Sequence, residues 1–237
     1  MDLVGIDLMP LVSKSLYDAV PPDDAYRGVY GEPELILKMI AEGSIGRKGK
    51  GGFYRLNKES GKPVKEVIDL ATGAYSTAKR PTPDSVRASK GSPRALFEHG
   101  DASSAFAWQV MSATLCYAAD LIPEIADTVL AADDAMKLGY AWKNGPFELI
   151  DKIGADWLVE RLTAEGREIP ALLRLASEKG GFYRTEQGRL QYLGIDGVYV
   201  TIERAPGVLL LSDVKRAGKP IKHNASASLW DIGDGVA

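Results

Sequence analysis

Apolar residues recur at helical spacing along most of the chain and alternate, as in strands, in two short places. Ile6, Leu8, Met9, Leu11, Val12 and Leu16 form a first helical stripe, and a proline-led stripe follows at Pro33-Glu-Leu-Ile-Leu-Lys-Met39. Proline suits a first helical turn because its missing N–H is not needed there, and the glycines that come after suit a helix stop. Phe53-Tyr54-Arg55 then follows a double glycine and predicts a short aromatic strand, with Lys58 to Gly61 as the turn and Val64, Val67 and Ile68 as the returning strand.

The same order of markers occurs twice. Asp2-Leu-Val-Gly-Ile-Asp7 is matched by Asp151-Lys-Ile-Gly-Ala-Asp156, and Pro33 to Met39 by Pro170-Ala-Leu-Leu-Arg-Leu-Ala176. Gly-Gly-Phe-Tyr-Arg closes each copy, at 51 to 55 and at 180 to 184. Three markers in one order predict an internal duplication, although Gly5 and Gly51 lie 46 residues apart and Gly154 and Gly180 only 26.

The second copy has a long preface. From Asp101 to Ile122, Phe106, Val110, Ala113, Tyr117 and Leu121 form one stripe and Trp108, Met111, Leu115, Ala118 and Ile122 a second, which predicts a helix buried on both faces. Thr128 to Leu138 predicts another helix, with Asp127 as its cap and Gly139 as its stop, and Pro146 suits the first position of the next. The first copy begins where such a preface would end, so the sequence is expected to start inside a domain; its uncovered stripe is expected to pack on the second copy of the same chain, with a second molecule, a homo-oligomer, as the runner-up.

Beyond the second copy, Leu190, Tyr192, Val198, Val200 and Ile202 alternate around an Asp196-Gly197 turn. Val208 to Val214 fits a strand or a short helix, and Ser228 to Ala237 a strand and turn. The expected fold class is mainly α: a tandem duplicated helical domain with small β segments. The expected domains are a first helical repeat over 1–78, a linker over 79–93, a second repeat over 94–205, and a linker with the first strands of a truncated further domain over 206–237.

Composition narrows the function. The chain has 237 residues, 45% hydrophobic and 26% charged, with a net charge of −3, which excludes a disordered chain and gives no reason to expect nucleic acid or a polybasic membrane contact. No run reaches the ~18 apolar residues of a membrane span and no basic, apolar signal segment opens the chain, so a cytoplasmic location is expected. One cysteine and two histidines exclude an internal disulfide and make a His/Cys metal site unexpected. His99 reads as a helix-end residue, His223 as a surface turn and Cys116 as a small core residue. Asp133 and Asp134 point ~100° apart on a helix, so they read as solvated or capping groups rather than an acid–base pair.

At this point the motifs carry a family resemblance. Asp2 to Asp7, Gly46-Arg-Lys-Gly-Lys-Gly-Gly-Phe-Tyr54, Ala132-Asp-Asp-Ala-Met-Lys-Leu-Gly139 and Trp142-Lys-Asn-Gly-Pro-Phe-Glu-Leu-Ile-Asp151 resemble the helical carboxy-terminal domains of NAD-dependent 3-hydroxyacyl-CoA dehydrogenases, over residues 1 to about 188. Leu229-Trp-Asp-Ile-Gly-Asp-Gly-Val-Ala237 is similar to the opening strand of an enoyl-CoA hydratase (crotonase) domain. The resemblance implies a piece of a bifunctional β-oxidation enzyme, with acyl-CoA as substrate and the Rossmann and crotonase domains of the same polypeptide as partners. It implies NAD as cofactor of that whole enzyme, with none expected to bind this fragment: no G-x-G-x-x-G occurs, and the family's catalytic histidine and glutamate lie upstream of the matched region. No catalytic or metal-binding residue is therefore assigned. Arg47, Lys48 and Lys50, three cations among glycines, are the candidate substrate-binding residues, able to meet coenzyme A phosphates. The second copy keeps only Lys179 before its double glycine, so such a site belongs to the first. A non-catalytic helical interaction module is the competing class.

Overall fold

The computed structural model describes residues 1–58 and 61–233. The middle of the predicted 58–61 turn and residues 234–237 of the predicted crotonase-like strand and turn lie outside the described residues. The chain forms two compact units, Met1–Pro81 and Thr82–Ala237.

In the first unit, α1 (Leu8–Ala19) leads through a short 3-10 turn, Ala25–Gly28, to α2 (Glu34–Ala41), which starts directly after Pro33. Three strands follow as an antiparallel meander: β1 (Tyr54–Asn57), β2 (Val64–Ile68) and β3 (Tyr75–Thr77). The strand β3 was not legible as a separate element. Ile6, Ile36, Met39 and Ile68 form the core, with Met9, Leu35, Ile40, Phe53 and Tyr75 packed against it. Of the first predicted stripe only Ile6 and Met9 join this core; Leu8, Leu11, Val12 and Leu16 are exposed along α1.

The second unit is larger and more helical. Its elements begin with α3 (Asp84–Ser89), α4 (Pro93–Glu98), α5 (Ala102–Asp120), α6 (Val129–Tyr140), α7 (Pro146–Ile153), α8 (Ala155–Ala164) and α9 (Ala171–Lys179). A second meander, β4 (Tyr183–Glu186), β5 (Arg189–Leu193) and β6 (Tyr199–Thr201), is followed by α10 (Leu211–Ala217) and a small hairpin, β7 (Lys222–His223) and β8 (Ser228–Leu229). The helix α5 packs on α4, α7 and α9, and its inward residues Trp108, Leu115 and Ala119 join Phe147, Ile150, Leu158, Leu173 and Phe182 in one core.

Three expectations need correction. The stretch read as linker contains α3, tied to the rest of the unit because the Asp101 carboxylate accepts the Ser85 N–H (2.9 Å) as well as capping α5 at Ser104 (2.7 Å). Only one stripe of α5 is buried: Phe106, Val110 and Ala113 are exposed, because α4, α7 and α9 cover the opposite face. The cap of α6 is Thr128, whose hydroxyl accepts the Ala131 N–H at 3.1 Å, and the helix runs past Gly139 to end at Ala141, left-handed at φ 55°. The ambiguous 208–214 stretch resolves in favour of the helix, α10.

Candidate functional site

The two Gly-Gly-Phe-Tyr-Arg segments are held by the same set of bonds. In the second unit, Asp151 at the end of α7 accepts the Phe182 and Tyr183 N–H groups, each at 2.7 Å. The Tyr199 hydroxyl donates to the Gly181 carbonyl (2.7 Å), and the Arg184 guanidinium stacks 4.0 Å from the Tyr199 ring centre. In the first unit, Asp2 accepts the Phe53 N–H (3.0 Å) and the Tyr54 N–H (2.8 Å). Tyr75 donates to the Gly52 carbonyl (2.6 Å) and carries Arg55 at 3.9 Å. The strand registers agree as well: Tyr54 faces Val67 and Ile68 faces Tyr75, as Tyr183 faces Tyr192 and Leu193 faces Tyr199. Glycine is required where the carboxylate meets the turn, since a Cβ on Gly52 would lie 2.5 Å from Asp2 Oδ1 and one on Gly181 3.0 Å from Asp151 Oδ1.

The units differ in what covers the tyrosine. The Tyr183 hydroxyl donates to Asp133 Oδ2 at 2.8 Å, and Asp133, wholly buried on α6, also accepts the Phe147 (2.8 Å) and Glu148 (3.0 Å) N–H groups that open α7. Asp133 is therefore a buried inter-helix cap, the capping alternative of its sequence reading rather than the solvated one. Asp134 beside it is half-buried and pairs with Lys137 at 3.0 Å. Burial outweighs the hydrogen bonds and pushes both Asp133 and Asp151 up to about 6, while burial and the neighbouring Asp133 push Tyr183 up further.

They differ also in an inserted turn. The helix α9 runs straight into Gly180-Gly181, whereas α2 ends at Ala41 and, after Gly43, residues 44–50 intervene before the same motif. Gly46 donates to the Gly51 carbonyl (2.6 Å), Gly49 to Gly46 (3.0 Å) and Lys50 to Gly43 (3.0 Å). The turn needs its glycines, because a Cβ on Gly46 would sit 2.4 Å from the Asp2 carbonyl oxygen and one on Gly49 2.4 Å from that of Gly43.

Arg47 and Lys50 line a cleft of about 620 Å³ with Arg55, Lys58, Lys65, Tyr54, Leu56 and Asp2. The turn thus brings two of the three predicted cations to one place. Lys48 does not line the cleft; it pairs with Asp7 at 2.8 Å, and that bond holds the Asp7 carboxyl below its usual range. Arg55 is likewise committed to Glu66 at 2.7 Å. Arg55, Lys58 and Lys65 were missed in the sequence, and the signal for Lys65 was its place opposite Leu56 in the β1–β2 register. In the second unit the space beside the clasp is lined by Asp151, Asp156, Ser177 and Tyr183 among others, none of them a cation.

The remaining candidates stand apart from both clefts. His99 caps the end of α4 with Nδ1 3.5 Å from Asp101, His223 is exposed on β7, and Cys116 is half-buried on α5 with its thiol pushed up by burial. Among the described residues there is no His/Cys/Asp/Glu group able to hold a metal ion, and no helix is long and apolar enough to cross a membrane.

No family model and no solved structure matches the chain. Three of its curated relatives are named for fatty-acid oxidation or for a step of it. Two rickettsial proteins are named "Putative fatty acid oxidation complex trifunctional enzyme": that of Rickettsia felis is 40% identical over 149 residues, 63% of this chain and 20% of its own length, and that of Rickettsia prowazekii 35% identical over 179 residues, 75% and 24%. More particularly, the whole chain is 33% identical over 244 residues to 30% of a Bacillus subtilis (strain 168) protein named "Probable 3-hydroxyacyl-CoA dehydrogenase". These relatives support the 3-hydroxyacyl-CoA dehydrogenase family that the motifs resemble, and the chain spans less than a third of the length of each.

Proposed function

We propose that this chain supplies the duplicated helical region of a cytoplasmic 3-hydroxyacyl-CoA dehydrogenase of fatty-acid β-oxidation, on the acyl-CoA side of the cleft and at the domain interface. The observation that carries the reading is the 33% identity maintained over the whole chain with part of a protein bearing that name. The repeated clasp supports a duplication, since two segments of unlike surroundings keep the same acceptor, donors and register.

The whole enzyme oxidises a 3-hydroxyacyl-CoA to the 3-oxoacyl-CoA with NAD as hydride acceptor. The residues described here do not fit NAD. A dinucleotide cradle needs a parallel strand opening through glycines into a helix, and the three sheets described are antiparallel throughout. On this reading NAD and the proton-accepting residues are supplied by other parts of the whole enzyme. Arg47 and Lys50 are the residues proposed to face coenzyme A phosphates, while Lys48 is held away from the cleft by its pair with Asp7.

Calorimetry with NADH and an assay on 3-hydroxybutyryl-CoA test this. The 237-residue chain alone should bind no NADH and show no oxidation, and mass measurement of the native gene product should exceed that of 237 residues. Micromolar NADH binding by the chain, or a native product of 237 residues, overturns the reading.

A further inference from the structure

The second unit builds the clasp, the strand register and the arginine–tyrosine stack without any counterpart of residues 44–50. It also places Thr185 opposite Leu190 where the first unit has Leu56 opposite Lys65. The inserted turn and the cations around it are therefore not needed to make this fold. They also carry a cost, since like charges converging on one cleft repel. Among the described residues, Arg47, Lys50 and Lys58 enter no ion pair, Lys65 lies 4.4 Å from the Tyr54 ring centre, and the one carboxylate lining the cleft, Asp2, has both oxygens engaged by backbone N–H groups.

We infer that this cleft receives a phosphorylated organic anion of nucleotide size. Arg47, Lys50 and Lys58 meet the phosphates, and the exposed flanks of Tyr54 and Leu56 meet the planar part. A volume of about 620 Å³ is larger than a lone phosphate needs and lies within the range of small-molecule sites. Tyr54 is 50% and Leu56 63% exposed, so apolar surface stands open beside the charges. The glycine-rich turn holds its cations on a backbone whose close approaches leave little freedom, which lowers the ordering cost of binding. For the source of the anion the inference rests on the proposed function: the phosphorylated adenosine end of coenzyme A has this chemistry.

Isothermal titration calorimetry on the full chain, at fixed ionic strength, tests it with coenzyme A, adenosine 3′,5′-bisphosphate, pantetheine and inorganic pyrophosphate. Coenzyme A and the bisphosphate should bind with similar Kd, pyrophosphate more weakly, and pantetheine not at all. The double variant Arg47→Gln/Lys58→Gln, with an unchanged circular dichroism spectrum, should weaken both ligands at least tenfold. Lys38→Gln, which removes a charge from α2 outside the cleft, should leave them unchanged. Coenzyme A binding that survives the double variant overturns the cleft while leaving the dehydrogenase reading in place. Binding of the bisphosphate but not of coenzyme A upholds the cleft and overturns its acyl-CoA role. Absence of binding by both, or pyrophosphate binding as tight as the bisphosphate, overturns the inference.

Discussion

Both units hold a Phe-Tyr pair with two N–H bonds to one aspartate, yet Tyr183 packs half-buried against a large core and Tyr54 lies on a surface. The difference lies in what packs above the sheet. In the second unit α6 brings Asp133 onto the Tyr183 hydroxyl, and the clasp adjoins a core that has eighteen buried apolar members among the described residues. In the first, the core has four. A short motif thus fixes local geometry wherever it occurs, while the energy stored in that geometry depends on the elements packed around it. The same clasp is a core fastening in one unit and a surface fastening, free to carry a binding turn, in the other.

Core truncation tests this contrast with the largest effect. Phe182 is wholly buried and meets Phe147 edge-on at 4.8 Å, so Phe182→Ala should cost about 3–5 kcal/mol in urea unfolding. Phe53, half-buried against a small core, should cost about 1–2 kcal/mol on the same change. Equal losses would mean that the first unit is packed as tightly as the second. The clasp itself comes next: Asp151→Ala strands two N–H groups within the core and should cost about 2–3 kcal/mol, against about 1 kcal/mol for Asp2→Ala, where water can reach the freed groups.

This contrast also marks how far the sequence could be read. The helices with periodic apolar faces, the proline-led starts and the strands after each double glycine were legible because their signals are local. So was the pairing of Asp2 with Asp151, through the repeated D-x-(V/I)-G-x-D pattern, though not the bonds they make. For Asp133 a capping role was legible but its burial was not, because that comes from α7 and Tyr183, 14 and 50 residues away. The second stripe of α5 misled for the opposite reason, since apolar periodicity marks a face that can be buried without saying what covers it. Of the candidate site, Arg47 and Lys50 were legible from charge among glycines. Lys58 and Lys65 were not, since only strand pairing carries them to the same cleft.

A pH profile sharpens the comparison further. Asp133 and Asp151, whose ordinary value is 3.8, stand at about 6 in the folded chain, so the folded state holds their protons more tightly than the unfolded state does. Their contribution is fully present below about pH 4 and is lost as pH rises through about 6. The acids held low, such as Asp7, Asp69 and Asp101, act in the opposite sense, losing stability as pH falls below the ordinary carboxylate range. Between pH 5 and 7.5 the raised pair should dominate, and after discounting for the partial exposure of Asp151 the chain should gain about 1–2 kcal/mol on going from pH 7.5 to 5. Thermal melts at the two values measure it. A flat or reversed profile would mean that the hydrogen bonds to these carboxylates fully offset their burial.

The smallest expected effect isolates the one bond that distinguishes the tyrosines. Removing the Tyr183 hydroxyl leaves the Phe147 and Glu148 N–H groups still bonded to Asp133, so no buried donor is orphaned. Tyr183→Phe should therefore cost only about 1 kcal/mol. The Tyr54 hydroxyl has no such acceptor among the described residues, and Tyr54→Phe should leave stability within about 0.5 kcal/mol of the parent. The bond leaves a second trace, because the Tyr183 hydroxyl is one of the groups that hold the Asp133 carboxyl down. Without it the Asp133 titration should move upward, and the pH at which Tyr183→Phe loses stability should rise, whereas Tyr54→Phe should keep the parent profile. If both variants shift the profile alike, the tyrosines share one environment and α6 does not set the second unit apart.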